Sequence, residues 1–279
     1  MKRTLLILLL SAACATAPPA PSGATAPQCN PGHALVNATL WVQSAAEYRA
    51  SALQTYATAR RQLDTALADR SWSGAEEEQN EDSSQPPAVI LDLDETTLDN
   101  VGYEARAIKR GITYDKPLWR EWVSESAADA VPGASEFLAY ARSRGVTPFY
   151  ITNRDFDPEH PGTLRNLERL GFPLTADNLL MRGTRPEWKS DKSGRRAHVA
   201  STHRVLLVIG DDLNDFTNAR DKSQAEREAI MDRTANWWGT RWFMLPNPMY
   251  GSWESAATGG GEGTPCEQLQ RKVDALRDR

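Results

Sequence analysis

Two stretches of this 279-residue chain carry aspartates in a pattern that could do chemistry. In the first, Val89-Ile90-Leu91 runs straight into Asp92-Leu93-Asp94-Glu95-Thr96. In the second, Leu207-Val208-Ile209-Gly210 runs into Asp211-Asp212-Leu213-Asn214-Asp215. An apolar run followed at once by acids reads as a buried strand delivering carboxylates to its carboxyl end, where open α/β sheets bind ligands. Carboxylates crowded there repel one another, so a cation is the natural reason to tolerate them. Hard oxygen donors favour Mg2+ over a soft metal. Asp92, Asp94, Asp211 and Asp215 are therefore the candidate catalytic and metal-binding residues. An EF-hand is excluded, because Thr97 stands where its loop needs Gly, Tyr103 where it needs Glu, and a strand pattern precedes the run. The four histidines, His33, His160, His198 and His203, have no ligand spacing and read as non-catalytic.

Bringing two strand ends together requires a sheet, and the rest of the chain supplies one. Short apolar segments at 88–91, 149–151, 179–181, 205–209 and 242–245 read as strands. Between them, Ala134, Phe137, Leu138 and Ala141 fall on one helical face that stops at Gly145, and a Leu164/Leu167 helix stops at Gly171. A helix is also predicted at 195–202. Strands alternating with helices predict an α/β fold, a mostly parallel sheet with helices on both faces. Upstream, Trp41, Ala45, Tyr48, Ala52, Tyr56, Ala59, Leu63 and Ala66 recur at steps of three and four, predicting one long helix over 34–69. Residues 71–87 are acidic, polar and Pro-terminated, and read as a solvated loop. No strand needs residues 100–131, which read as a small helical cap with Trp119 and Trp122 on one face.

The order of these pieces resembles a known superfamily. The segment 92–100, DLDETTLDN, is similar to the first motif of haloacid dehalogenase-type (HAD) hydrolases. Thr152 then closes the strand Phe149-Tyr150-Ile151, followed by a segment with Lys189 and Lys192, and by Gly210-Asp211 to Asp215. The likeness sharpens to the class C acid phosphatases, bacterial lipoproteins with 5′-nucleotidase activity, over roughly residues 34–256. It is carried further by the helix around Ser44-Ala45-Ala46-Glu47-Tyr48-Arg49 and by Leu245-Pro246-Asn247-Pro248-Met249-Tyr250-Gly251-Ser252-Trp253-Glu254. The resemblance implies a HAD-type Rossmann-like sheet and a Mg2+-dependent phosphomonoesterase. Asp92 would be the nucleophile that becomes an aspartyl phosphate, and Asp94 the acid and base. Asp92, the Asp94 main-chain carbonyl and Asp211 would hold the metal, with Asp215 in or behind that set. Thr152 and Asn153 would bind the phosphoryl group, and Lys192 would neutralise it, with Lys189 as the competing lysine. Tyr250 resembles the family's nucleobase-stacking aromatic, and Trp119 of the cap is the second aromatic expected on the substrate. A phosphotransferase using the same intermediate, and a surface binding lipoprotein without turnover, are the alternatives.

The ends of the chain set its expected location. Lys2 and Arg3 precede an apolar run from Leu5 to Leu10, far too short to span a bilayer, and Ser11-Ala12-Ala13-Cys14 follows. This resembles a bacterial lipobox, so residues 1–14 are expected to be a signal peptide and Cys14 the lipidated residue of an envelope protein, anchored at the outer membrane. Cleavage without lipidation, giving a soluble periplasmic or secreted protein, is the alternative. Residues 15–33, rich in Ala and Pro, read as a tether, 34–256 as the catalytic domain and 257–279 as a Gly-rich linker and tail. Lipidation of Cys14 would leave Cys29 and Cys266 as one pair in an oxidising compartment, with two free thiols as the other possibility. A net charge of -5 argues against a nucleic-acid partner and leaves a small phosphomonoester, a nucleotide above all, and the membrane as the expected partners.

Overall fold

The computed structural model describes residues 29–77 and 84–278. The signal peptide, Cys14 and most of the tether lie outside the described residues. A 3₁₀ turn at Pro31–Leu35 leads into α1 (Val36–Ser44) and α2 (Ala46–Ala68). Then come β1 (Pro87–Leu91), β2 (Leu98–Asp99), α3 (Val101–Lys109), α4 (Lys116–Glu125), β3 (Asp129–Ala130) and α5 (Ala134–Ser143). These are followed by β4 (Thr147–Asp155), α6 (Phe156–Arg169), β5 (Leu179–Arg182), α7 (Ser193–Ala200) and β6 (Arg204–Gly210). The chain closes with α8 (Gln224–Arg233), β7 (Trp242–Met244), α9 (Ser252–Thr258) and α10 (Pro265–Asp274). Among the described residues no helix is long and apolar enough to cross a membrane.

Five strands form one parallel sheet in the order β5-β4-β1-β6-β7. β1 sits at its centre, where both neighbours bury it. Its side chains alternate: Val89 and Leu91 enter the core beneath α2, α5 and α6, while Ala88 and Ile90 enter a second core with Val199 of α7 and Trp242. Leu91 lies opposite Tyr150 on β4 and Ile209 on β6. That register alone sends Asp92, Thr152 and Asp211 out of the same edge of the sheet. The α/β architecture is the expected one. Over the edge lies the cap, where β2 and β3 pair antiparallel and enclose α3 and α4.

Three expectations are corrected. The long helix is broken at Ala45, whose ψ of 129° is extended. The break lets α1 pack on α3 while α2 turns to pack on α5 and β6. The segment after α2 is also less solvated than its composition suggests. The Trp72 indole donates to the Leu206 carbonyl (2.8 Å), the Gly74 N–H donates to Val205 (2.7 Å), and Ala75 is buried. Its acids have partners in the core: Glu77 pairs with Arg196 (2.7 Å) and Glu76 accepts from Thr217 (2.6 Å). The expected linker and tail contains a helix, α10, started by a capping box between Thr264 and Glu267.

Candidate active site

Asp92 leaves β1 with its own N–H still donating to the Ile209 carbonyl of β6 (3.0 Å). A tight turn follows. The Leu93 carbonyl accepts from Thr97 (2.8 Å) and Leu98 (2.7 Å), and the Thr97 hydroxyl donates to the Asp92 carbonyl (2.5 Å). Glu95 takes a φ of +58° to complete it, a conformation a non-glycine residue seldom adopts. On the β6 side, the Asp215 carboxylate folds back and accepts the N–H groups of Asp211 (3.1 Å) and Asp212 (2.9 Å). This return requires Gly210: a Cβ there would stand 2.4 Å from Asp215 Oδ2.

Lys192, just before α7, is buried. Its Nζ donates to Asp92 Oδ1 and to Asp215 Oδ1 (2.6 Å), whereas Lys189 is exposed. Burial opposes the ammonium, but the charges of Asp215 and Asp92 outweigh it and hold Lys192 protonated far above neutral pH. Asp92 Oδ2 makes no hydrogen bond among the described residues, and Asp92 lines the cleft.

Asp92, Asp211 and Asp215 each offer a carboxylate oxygen, all within 4.8 Å of one another. Asp211 also accepts from Thr96 (2.9 Å) and Asn247 (2.9 Å). Burial, reinforced by the neighbouring carboxylates, pushes both Asp92 and Asp211 above the usual carboxylate range. One ammonium therefore does not neutralise the cluster. A hard dication fits both the donor set and the uncompensated charge.

Asp94 stands apart from this cluster. Its Oδ1 accepts from Arg154 Nη2 (2.7 Å), Arg154 Nε (2.9 Å) and Asn100 Nδ2 (2.9 Å), and its Oδ2 accepts from the Thr152 hydroxyl (3.3 Å). Sequence reasoning passed over Arg154. It is buried two residues beyond Thr152 and also donates to Thr163 (3.1 Å) and Asn100 (3.2 Å). Arg195 was missed as well, although it lies inside the predicted helix. It is buried and donates to the Thr152 carbonyl (2.5 Å) and to Asn153 Oδ1 (2.7 Å). Asn153 lines the cleft, but its amide also donates to the Ser190 carbonyl (3.0 Å), so it fastens the lysine segment to β4.

The cluster opens into a cleft of about 880 Å³. Trp119 lines it, edge-on to Tyr103 at 5.1 Å and beneath the Arg154 guanidinium at 5.2 Å. Trp122 does not share that role. It is buried, and its indole donates to Asn100 Oδ1 (2.8 Å), so one turn of helix separates a cleft residue from a core residue. Tyr250, half-buried, also lines the cleft, and nearby Asp212 accepts from the Ser252 N–H (2.6 Å) and hydroxyl (2.6 Å). The C-terminal segment completes the cleft with Glu254, Gln268 and Lys272. A disulfide between Cys29 and Cys266 ties α10 to the first described residue.

Comparisons with known proteins agree with this geometry. The profile of the HAD superfamily, subfamily IIIB (acid phosphatase), matches residues 23–253. A solved class C acid phosphatase from Bacillus anthracis is 34% identical, with a TM-score of 0.79, covering 90% of this chain and 100% of that one. The same enzyme solved with tungstate bound gives 34% and 0.79 over 89% of this chain and 98% of that one. A stem 31 kDa glycoprotein of Glycine max is 26% identical over 165 residues, and the match spans 58% of that relative's length. With a match over most of its length, a five-strand parallel sheet in common and the aspartates gathered at one edge, the chain belongs to the acid phosphatases of HAD subfamily IIIB.

Proposed function

We propose that the protein is a Mg2+-dependent phosphatase that hydrolyses phosphate monoesters, 5′-nucleotides among them, through a phosphoryl group carried on Asp92. One observation carries this reading: Lys192 holds Oδ1 of Asp92, a residue that lines the cleft, while Oδ2 is left without a hydrogen-bond partner among the described residues. Oδ2 attacks phosphorus and the bond to the alcohol oxygen breaks. Asp94 gives that oxygen a proton, then takes one from the water that attacks the aspartyl phosphate and returns Asp92 and inorganic phosphate. Arg154 and Asn100 hold Asp94 from behind, leaving Oδ2 beside Thr152 as the oxygen for proton transfer. Lys192 counters the charge that builds on the transferring group. Asp92, the Asp94 main-chain carbonyl and Asp211 would hold Mg2+, with Asp215 beside them, and the ion would supply electrostatic relief of the carboxylate–phosphate repulsion.

The preference for nucleotides rests on Tyr250 and Trp119, flat half-buried rings in one cleft with the aspartates. The Cys29–Cys266 pair supports an oxidising compartment, in line with export and lipid anchoring at Cys14. The test measures phosphate release with and without Mg2+, across pH, for adenosine 5′-monophosphate and glycerol phosphate, in the wild type and Tyr250→Ala. Stacking worth about 1–3 kcal/mol means kcat/KM for the nucleotide falls roughly ten- to a hundredfold in the variant. Glycerol phosphate is nearly unaffected. Equal losses on both esters would assign Tyr250 to packing and remove the support for a nucleotide preference.

A further inference from the structure

One carboxyl group in the cleft has no role in the chemistry above. Glu104 lies on α3 next to Tyr103, is only 6% exposed, and lines the same cleft as Asp92 and Tyr250. Among the described residues its carboxyl makes no hydrogen bond and no ion pair, unlike every other buried acid near the site. The charged groups that face it offer little compensation. Glu254 of α9 repels it, and Lys272 of α10, which attracts it, is already committed to Glu254 at 2.6 Å. Glu95 and Tyr103, the remaining titratable neighbours, add no positive charge. A carboxyl taken from water without a partner is costly, and it is best satisfied by a donor that arrives with a ligand.

We infer that Glu104 is a specificity-determining residue, accepting a hydrogen bond from an amine or hydroxyl on the alcohol portion of the substrate. The inference rests on the phosphomonoesterase reading and extends it from the phosphate to the leaving group. In a nucleotide the donor is either the base amine or a ribose hydroxyl. Burial, together with Glu254, raises the Glu104 carboxyl to about 7, and a donor arriving with the ligand favours its ionised form. An ester without a donor, such as p-nitrophenyl phosphate, has nothing to offer it.

The experiment compares the full-length wild type with Glu104→Leu and Glu104→Gln. Glu104→Leu is expected to raise KM for adenosine 5′-monophosphate tenfold or more with kcat within about twofold, and to leave p-nitrophenyl phosphate turnover within about twofold. Glu104→Gln, which keeps an accepting oxygen, restores most of the nucleotide KM. Purine riboside 5′-phosphate lacks the amine and 2′,3′-dideoxyadenosine 5′-phosphate lacks the hydroxyls. The ester missing the relevant donor becomes insensitive to Glu104→Leu, which locates it. Equal losses on every ester, or sensitivity that persists with both analogues, overturns the inference. Calorimetry of adenosine binding to wild type and Glu104→Leu keeps the two readings separate. If no ester is hydrolysed the phosphatase reading fails, while weaker adenosine binding in the variant still supports Glu104, and unchanged binding overturns it.

Discussion

The Lys192 ammonium is shared between Asp92 at the end of β1 and Asp215 beyond the end of β6, joining the two acidic runs through one buried cation. This arrangement distinguishes the two oxygens of Asp92: Oδ1 is bonded to the lysine, and Oδ2 has no hydrogen-bond partner among the described residues. Lys192→Met is expected to lower kcat about 10²–10³-fold, the scale found when a preorganised charge-stabilising donor is removed. Steady-state phosphate release measures it. A variant with unchanged kcat would make the lysine purely structural.

Arg154 performs a geometric task that a point charge cannot. Its fork donates twice to Asp94 Oδ1 while a third nitrogen reaches Thr163. Arg154→Lys keeps the charge and loses the fork. It is expected to reduce kcat by about ten- to a hundredfold with KM little changed. A fall in KM-dependent binding alone, at constant kcat, would place Arg154 on the substrate instead of behind Asp94.

The sheet and its aspartates were legible because the buried stretches of β1 and β6 leave an apolar run, and the acids follow without a break. What escaped notice depends on contacts far apart in sequence. Arg154 reads as a surface charge until Asp94, sixty residues earlier, is seen beside it. Trp119 and Trp122 share a face by spacing, yet Asn100 draws the second indole inward, which no local pattern announces. The helix α10 did leave a local sign, since Thr264 and Glu267 stand at capping-box spacing, but Gly259, Gly260, Gly261 and Gly263 just before it suggested a linker. The break at Ala45 left no sign at all: alanine is a good helix former, and the bend follows from what α1 and α2 each pack against.

Glu104 gives the protein a pH-dependent stability of definite sign. Its carboxyl lies near 4.5 when unfolded and is raised to about 7 in the fold, first by burial and then by Glu254. The folded state therefore holds the proton more tightly. The stabilisation is complete below about 4.5 and is lost as pH climbs through 7. Glu104→Gln removes this cost, so it should match the wild type near pH 4 and exceed it near pH 8 by at most about 3 kcal/mol. Denaturant unfolding at the two pH values checks this, and a parallel pH profile for both proteins would contradict it.

Cys29 and Cys266 are 237 residues apart, so their bond closes nearly the whole folded chain. The chain-entropy model gives about 5.5 kcal/mol for so long a loop. Cys29→Ser is expected to lose up to that amount in thermal or denaturant unfolding, and to expose the 259–263 segment to proteolysis. A variant of unchanged stability, with that segment still protected, would mean that α10 is held by its packing alone.

Asp92 carries the whole proposal, and a covalent phosphate on it is directly observable. Wild-type protein mixed with substrate and quenched in acid within milliseconds should yield, by peptide mass spectrometry, a phosphoryl group on the peptide containing Asp92. Asp92→Asn should yield none, release no phosphate, and unfold with the same cooperativity as the wild type. Phosphate trapped on a different residue, or continued turnover by the folded Asp92→Asn variant, would contradict the assignment outright.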